Sequence, residues 1–152
     1  MAANFLTRKA ERVLELGKQF QSDYASGAAE EAYLMAGILL EGTGLAWRAL
    51  SAGGMTLERL RTWLPKLDEE SREVGSAHVD YVELALEEAH KLGNNWIGTE
   101  HLLLALLSSQ SGRYVVERIE LDPESLRATI LRLLGLPFVG MPYPLSRGER
   151  ES

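Results

Sequence analysis

Asn94-Asn95-Trp96-Ile97-Gly98-Thr99-Glu100-His101-Leu102-Leu103-Leu104-Ala105-Leu106-Leu107 decides how the chain folds. It passes from a polar, glycine-containing loop into an unbroken apolar run. Thr99 is placed to cap a helix by accepting a backbone N–H. Glu100 then falls in the first turn, where the helix dipole favours a carboxylate. From Leu102 to Leu107 no face is left for water, so other helices must wrap this one. Each buried leucine is worth roughly 1.5–3 kcal/mol, which exposure would forfeit. The segment is expected to be the central helix of an all-α unit.

The flanking sequence supplies the wrapping helices. Thr7 caps an expected first helix carrying Ala10, Val13, Leu14, Gly17 and Phe20 on one face, with Gly17 permitting close packing. Ser22 to Gly27 reads as a loop. A second helix, from about Ala28 to Glu41, is apolar nearly all round and is ended by Gly42 in the left-handed conformation. A short helix spans Leu45 to Ala52, and Thr56 caps a fourth that Pro65 bends or ends. The charged run around Asp68-Glu69-Glu70 reads as a connector. Helical spacing returns with Val82, Ala85, Leu86 and Ala89. After the central segment come a turn at Ser108–Gly112, a short helix through Tyr114, Val115 and Ile119, and a last helix opened by Asp122-Pro123-Glu124. Residues 136–152 are too rich in proline and glycine for a helix and are expected to be a tail.

Composition narrows the function classes. The 152 residues, 45% hydrophobic and 25% charged, suit one compact globular domain, and no apolar run approaches membrane-spanning length. The N-terminus lacks the order of a secretory signal, so a cytoplasmic location is expected. With no cysteine, disulfides, thiolate metal sites and cysteine nucleophiles are excluded. A formal charge of −6 gives no general attraction to nucleic acid or anionic lipid. His78, His90 and His101 have no metal-ligand spacing, so no metal or other cofactor is expected.

The two halves repeat one pattern. An offset of 68 sets Gly44 on Gly112, Leu34 on Leu102, Met35 on Leu103, Ile38 on Leu106 and Leu39 on Leu107. An offset of 72 sets Val13, Leu14 and Gly17 on Ala85, Leu86 and Ala89. The expectation is two four-helix repeats, 1–66 and 78–135, related by a pseudo-twofold axis and packed as one all-α domain, with a linker at 67–77 and the tail at 136–152.

These residues carry a resemblance. Asn95-Trp96-Ile97-Gly98-Thr99-Glu100-His101-Leu102-Leu103-Leu104, preceded by Ala85-Leu86-x-x-Ala89, resembles the Clp repeat of the N-terminal domain of Clp/Hsp100 unfoldases, ClpC and ClpA among them. The first half resembles it through Ala10-x-x-Val13-Leu14 and Gly37-Ile38-Leu39-Leu40-Glu41-Gly42-x-Gly44. The resemblance implies a protein-binding module that docks substrates or adaptors for a Clp chaperone or protease. Its implied partners are Clp ATPase or protease subunits and adaptor or substrate proteins, including arginine-phosphorylated ones. In ClpC-like members the glutamate of each Thr-Glu-His string takes part in binding phosphoarginine, and Glu100 matches it. The first repeat holds Glu31, Ala32 and Tyr33 at the matching positions. No Gly-x-x-x-x-Gly-Lys-Ser/Thr phosphate loop occurs, so the ATPase modules of the family lie outside these 152 residues.

The candidate binding residues are therefore Glu100, Thr99, His101, Trp96, Glu31 and Tyr33. By residue type alone Glu100 is a helix-start carboxylate worth about 0.3–1 kcal/mol. Trp96, in the loop just before it, is placed to wall a docking groove. The expected function is binding without catalysis. A stand-alone accessory subunit that regulates the Clp protease core or unfoldase ring is the alternative, and a small hydrolase using Glu100 and His101 is disfavoured. Helix-turn-helix DNA binding is disfavoured by the charge balance.

Overall fold

A computed structural model describes residues 2–24, 30–74 and 79–135. Within these residues the chain forms eight α-helices, four on either side of residues 75–78. They are α1 (Arg8–Tyr24), α2 (Glu30–Glu41), α3 (Leu45–Ala52), α4 (Leu57–Val74), α5 (Tyr81–Lys91), α6 (Thr99–Ser108), α7 (Gln110–Arg118) and α8 (Pro123–Leu133), with a 3-10 turn over Ala2–Phe5. The fold is all-α.

The two apolar runs become the two central helices. In α2 every side chain from Glu31 to Leu39 is buried, and in α6 all from Thr99 to Leu107 are buried except Glu100. Helix α6 touches α1, α2, α3, α5, α7 and α8, which is the wrapping its sequence demands. Helices α1 and α2 pack closest where glycines face each other. A Cβ on Gly37 would lie 2.1 Å from the Val13 carbonyl oxygen, and one on Gly17 would lie 2.7 Å from that of Tyr33. Gly17 thus permits the approach that its place in the apolar stripe suggests.

Helix ends follow local chemistry. Thr7 Oγ1 accepts the Ala10 N–H at 3.2 Å and starts α1, Asp80 caps α5 and Asp122 caps α8. Gly42, with φ of +70°, ends α2 as expected. Three boundaries differ from the sequence reading. Helix α1 continues through Ser22 to Tyr24, and the rest of the expected loop, residues 25–27, lies outside the described residues. The expected turn at Ser108–Gly112 is shortened to Ser109, which caps α7 by accepting the Gly112 N–H at 2.9 Å.

The third difference is at residues 66–74, which continue α4 instead of forming a connector. Pro65 removes a single N–H from the ladder, while the next turn is anchored: Leu67 is only 2% exposed. Glu70 accepts from Tyr114 Oη at 2.9 Å and from Arg118 Nε at 2.8 Å on α7. These hydrogen bonds, together with Arg118, hold the Glu70 carboxyl below its ordinary pKa. His78 and the tail at 136–152 lie outside the described residues.

A short extended strap ties the lead-in of α1 to the lead-in of α6. Leu6 and Ile97 form a parallel bridge, with the Thr7 N–H donating to the Ile97 carbonyl at 2.9 Å and the Ile97 N–H to the Phe5 carbonyl at 2.7 Å.

Candidate binding site at three helix starts

The strap and the packing of α3 on α6 bring three helix N-termini together. The starts of α1, α3 and α6 surround a pocket of about 430 Å³ lined by Thr7, Arg8, Lys9, Gly44, Leu45, Gly98, Thr99 and Glu100. The first turns of helices carry N–H groups without intrahelical partners and the positive end of the dipole, so such a junction favours an anion. Arg8 and Lys9 add two exposed cations, and Glu100, half-buried, supplies a carboxylate at the same place. The pocket therefore offers both signs of charge within one opening.

Thr99 does not cap its own helix. The N-cap of α6 is Gly98, in an extended conformation. Thr99, 3% exposed, instead turns its Oγ1 to accept the Ala46 N–H at 3.2 Å, in the first turn of α3. Helix α3 starts at Gly44, which has no side chain to cap with, so the hydroxyl comes from the other half of the chain. Both glycines keep the junction open. A Cβ on Gly44 would lie 2.6 Å from Thr99 Oγ1, and one on Gly98 would lie 2.4 Å from Glu100 Oε1. Glu41, at the end of α2, accepts the Gly44 N–H at 2.6 Å and the Thr43 N–H at 3.1 Å. Burial raises its pKa, but the bonds from Thr43 and Gly44 and the charge of Lys9 outweigh that and hold it below the ordinary value.

His101 is the internal lock of this loop. It is 2% exposed, its Nδ1 accepts the Gly98 N–H at 2.8 Å, and its Nε2 lies 3.1 Å from the Asn94 side-chain amide. Because Nδ1 accepts, the neutral ring carries its proton on Nε2, and that N–H pairs with Asn94 through the amide oxygen, the orientation of the amide this tautomer requires. Burial pushes the imidazole pKa down, against the opposing pull of Glu100 and Glu88. Neither nitrogen is left for a substrate, so the hydrolase reading loses its base.

Glu31 and Tyr33 are not at this pocket. The 68-residue offset puts Glu31 on Thr99, Ala32 on Glu100 and Tyr33 on His101, at the junction where α2, α5 and α7 start. That junction is held by different side chains. Tyr81, which stands on Lys9 at the 72-residue offset, donates its hydroxyl hydrogen bond to the buried Glu31 carboxylate, and its oxygen lies 3.2 Å from Ser109 Oγ at the α7 cap. Burial, reinforced by Glu31, drives the Tyr81 pKa up. Tyr33 is 3% exposed, its ring 6.0 Å from that of Phe20 in the core. A glutamate and a tyrosine thus bond to each other where a threonine and a lysine stand in the other half, and a cavity of about 490 Å³ opens beside them, lined by Gly17, Lys18, Glu30, Tyr33 and Tyr81 among others.

Trp96 is 58% exposed, beside the pocket, with its ring centroid 6.2 Å from that of Phe5 in an edge-to-face arrangement. Among the described residues no group of His, Asp and Glu is arranged to hold a metal, and no helix is long and apolar enough to cross a membrane. Sequence reasoning missed Arg8 and Lys9 as site residues. Their signal is two cations in a first helical turn, where the dipole opposes them.

Comparison with known proteins agrees with this architecture. Residues 76–137 match the Clp repeat (R) N-terminal domain family. Over 138 residues, 85% of this chain, it is 30% identical to the chloroplastic chaperone protein ClpC2 of Oryza sativa subsp. japonica. It is 32% identical over the same length to the ATP-dependent Clp protease ATP-binding subunit ClpA homolog of Guillardia theta. It spans only 15% and 17% of the length of those curated relatives. The N-terminal domain of the caseinolytic protease associated chaperone ClpD from Arabidopsis thaliana superposes with a TM-score of 0.69 at 17% identity, over 89% of this chain and 97% of that one. The Hsp104 N-terminal domain from Candida albicans gives 0.65 at 12% identity, over 87% and 93%. In its sequence over residues 76–137 and in its fold over most of its length, this chain carries a Clp N-terminal domain.

Proposed function

We propose that this chain is a non-catalytic docking module that receives client or adaptor segments for a Clp unfoldase or protease, and that its open pocket takes a phosphorylated arginine. The two sequence halves, 1–66 and 78–135, act as two repeats, of which the second carries the phosphoarginine site at Glu100. The observation that carries the reading is the mixed charge at the junction of three helix starts. A phosphoarginine side chain is itself mixed: its guanidinium suits the Glu100 carboxylate, and its phosphate suits the N–H groups, Arg8 and Lys9. An unmodified arginine satisfies only Glu100, and a phosphoserine only the cationic side.

The test is a titration of matched peptides bearing phosphoarginine, arginine or phosphoserine against the wild-type chain and Glu100→Gln. Tight binding of the first peptide alone, weakened at least tenfold by the substitution, is expected. Equal binding of all three sinks the phosphoarginine reading. A parallel pull-down from lysate addresses the Clp role, with retention of Clp ATPase or protease subunits as the expected result. Their absence in repeated pull-downs counts against it.

A further inference from the structure

We infer that Phe5 and Trp96 form a second subsite, continuous with the pocket, that takes an apolar side chain two residues away from the arginine of a docked extended segment. The inference rests on the pocket reading and specifies which client segments it selects.

The register of the strap sets the placement. Leu6 and Ile97 are bridged, and the Ile97 side chain is fully buried. One residue back in sequence stand Phe5, which closes the 3-10 turn and whose carbonyl accepts the Ile97 N–H, and Trp96; they are 39% and 58% exposed. One residue forward stand Thr7 and Gly98, which line the pocket. The aromatic pair thus adjoins the pocket, two residues away along both segments, a reach of at most about 7 Å of backbone. Side chains at alternate positions of an extended ligand lie about 6.5–7 Å apart, within reach of both.

Single exposed aromatics are ordinary on protein surfaces. Here two come from distant parts of the sequence, touch edge to face, and abut a site already suited to a charged anchor. Selectivity follows from the combination. The pocket reads the modified arginine, and the ring pair reads its neighbour.

Short phosphoarginine peptides made otherwise of glycine and serine test this. One carries leucine two residues before the phosphoarginine, one carries it two residues after, and the control has serine at both places. Leucine at one of the two positions is expected to tighten binding about tenfold and to shift tryptophan emission to the blue. The Phe5→Ser/Trp96→Ser variant should lose that preference and bind the three peptides alike. Trp96→Phe should keep the preference and lose the emission change. Both residues are exposed, so an unchanged thermal midpoint certifies the fold. Equal binding of all three peptides by the wild type, or a preference that survives the double substitution, overturns the subsite while leaving the pocket intact. Failure of the wild type to bind even the control overturns the pocket reading and the subsite with it. Self-association of the wild type that the double substitution abolishes would assign the pair to a second copy of the chain and overturn the inference.

Discussion

Thr99 caps a helix in the other half of the chain: its hydroxyl accepts the N–H of Ala46, 53 positions earlier, at 3.2 Å in buried surroundings. The hydrogen bond joins the start of α6 to the start of α3 and fixes two of the three walls of the pocket. Thr99→Val keeps the shape and removes the acceptor, leaving a buried N–H unpaired. The expected cost is about 1–2 kcal/mol, read as a lower urea midpoint with an unchanged slope. Thr99→Ser should recover most of it. A valine variant as stable as the wild type would show that water replaces the hydroxyl there.

His101 makes the domain sensitive to acid. Its buried, neutral ring accepts the Gly98 N–H, and burial lowers its pKa in the folded state. A histidine with a depressed folded pKa contributes stability that is complete above its unfolded value, about 6.5, and is lost as pH falls from there through the folded value. His101→Gln keeps an acceptor at the third helical position and does not titrate. Between about pH 7 and pH 5 the wild type should therefore lose stability more steeply than His101→Gln. Other acid-sensitive groups cancel in the difference. Parallel losses in the two proteins would mean that the ring is solvated when protonated.

Much of the fold was legible because the strongest signals were local. The apolar runs of α2 and α6, the caps at Thr7 and Asp122 and the stop at Gly42 act within a turn or two of themselves. What escaped depends on distant contacts. Residues 66–74 carry a charge run after a proline, and only burial of Leu67 and the grip of Tyr114 and Arg118 on Glu70 keep them helical. The site divides the same way. Glu100 stood out in its own string, whereas Arg8 and Lys9 reach it through the Leu6–Ile97 bridge. Thr99 looked like the cap of the helix it sits on, and its real partner lies across the fold. Glu31 and Tyr33 occupied the matching string of the first half, and a residue outside that string, Tyr81, takes up the Glu31 carboxylate.

Leu103 tests the central place of α6. It is fully buried in the core. Leu103→Ala should cost about 2–5 kcal/mol, the range for a core leucine whose surroundings only partly collapse. Chemical denaturation measures it, and an effect below about 1 kcal/mol would mean that α6 is not wrapped as described.

Gly37 sets two known effects of opposite sign against each other. Alanine in place of glycine within a helix stabilises by about 1 kcal/mol through backbone entropy. At Gly37, however, the added Cβ would meet the Val13 carbonyl oxygen at 2.1 Å and the Gly17 nitrogen at 3.0 Å, and both are backbone atoms of α1. A side chain could swing aside, but a helix must shift as a body and loosen the apolar contacts along its length. Overpacking of that kind costs typically about 1–3 kcal/mol, and with backbone on both sides the upper end applies, so the clash outweighs the entropy gain. Gly37→Ala should lower the thermal midpoint. An exposed helical control such as Ser51→Ala should leave it unchanged or raise it. If Gly37→Ala proves stabilising instead, α1 and α2 are not in contact through their backbones.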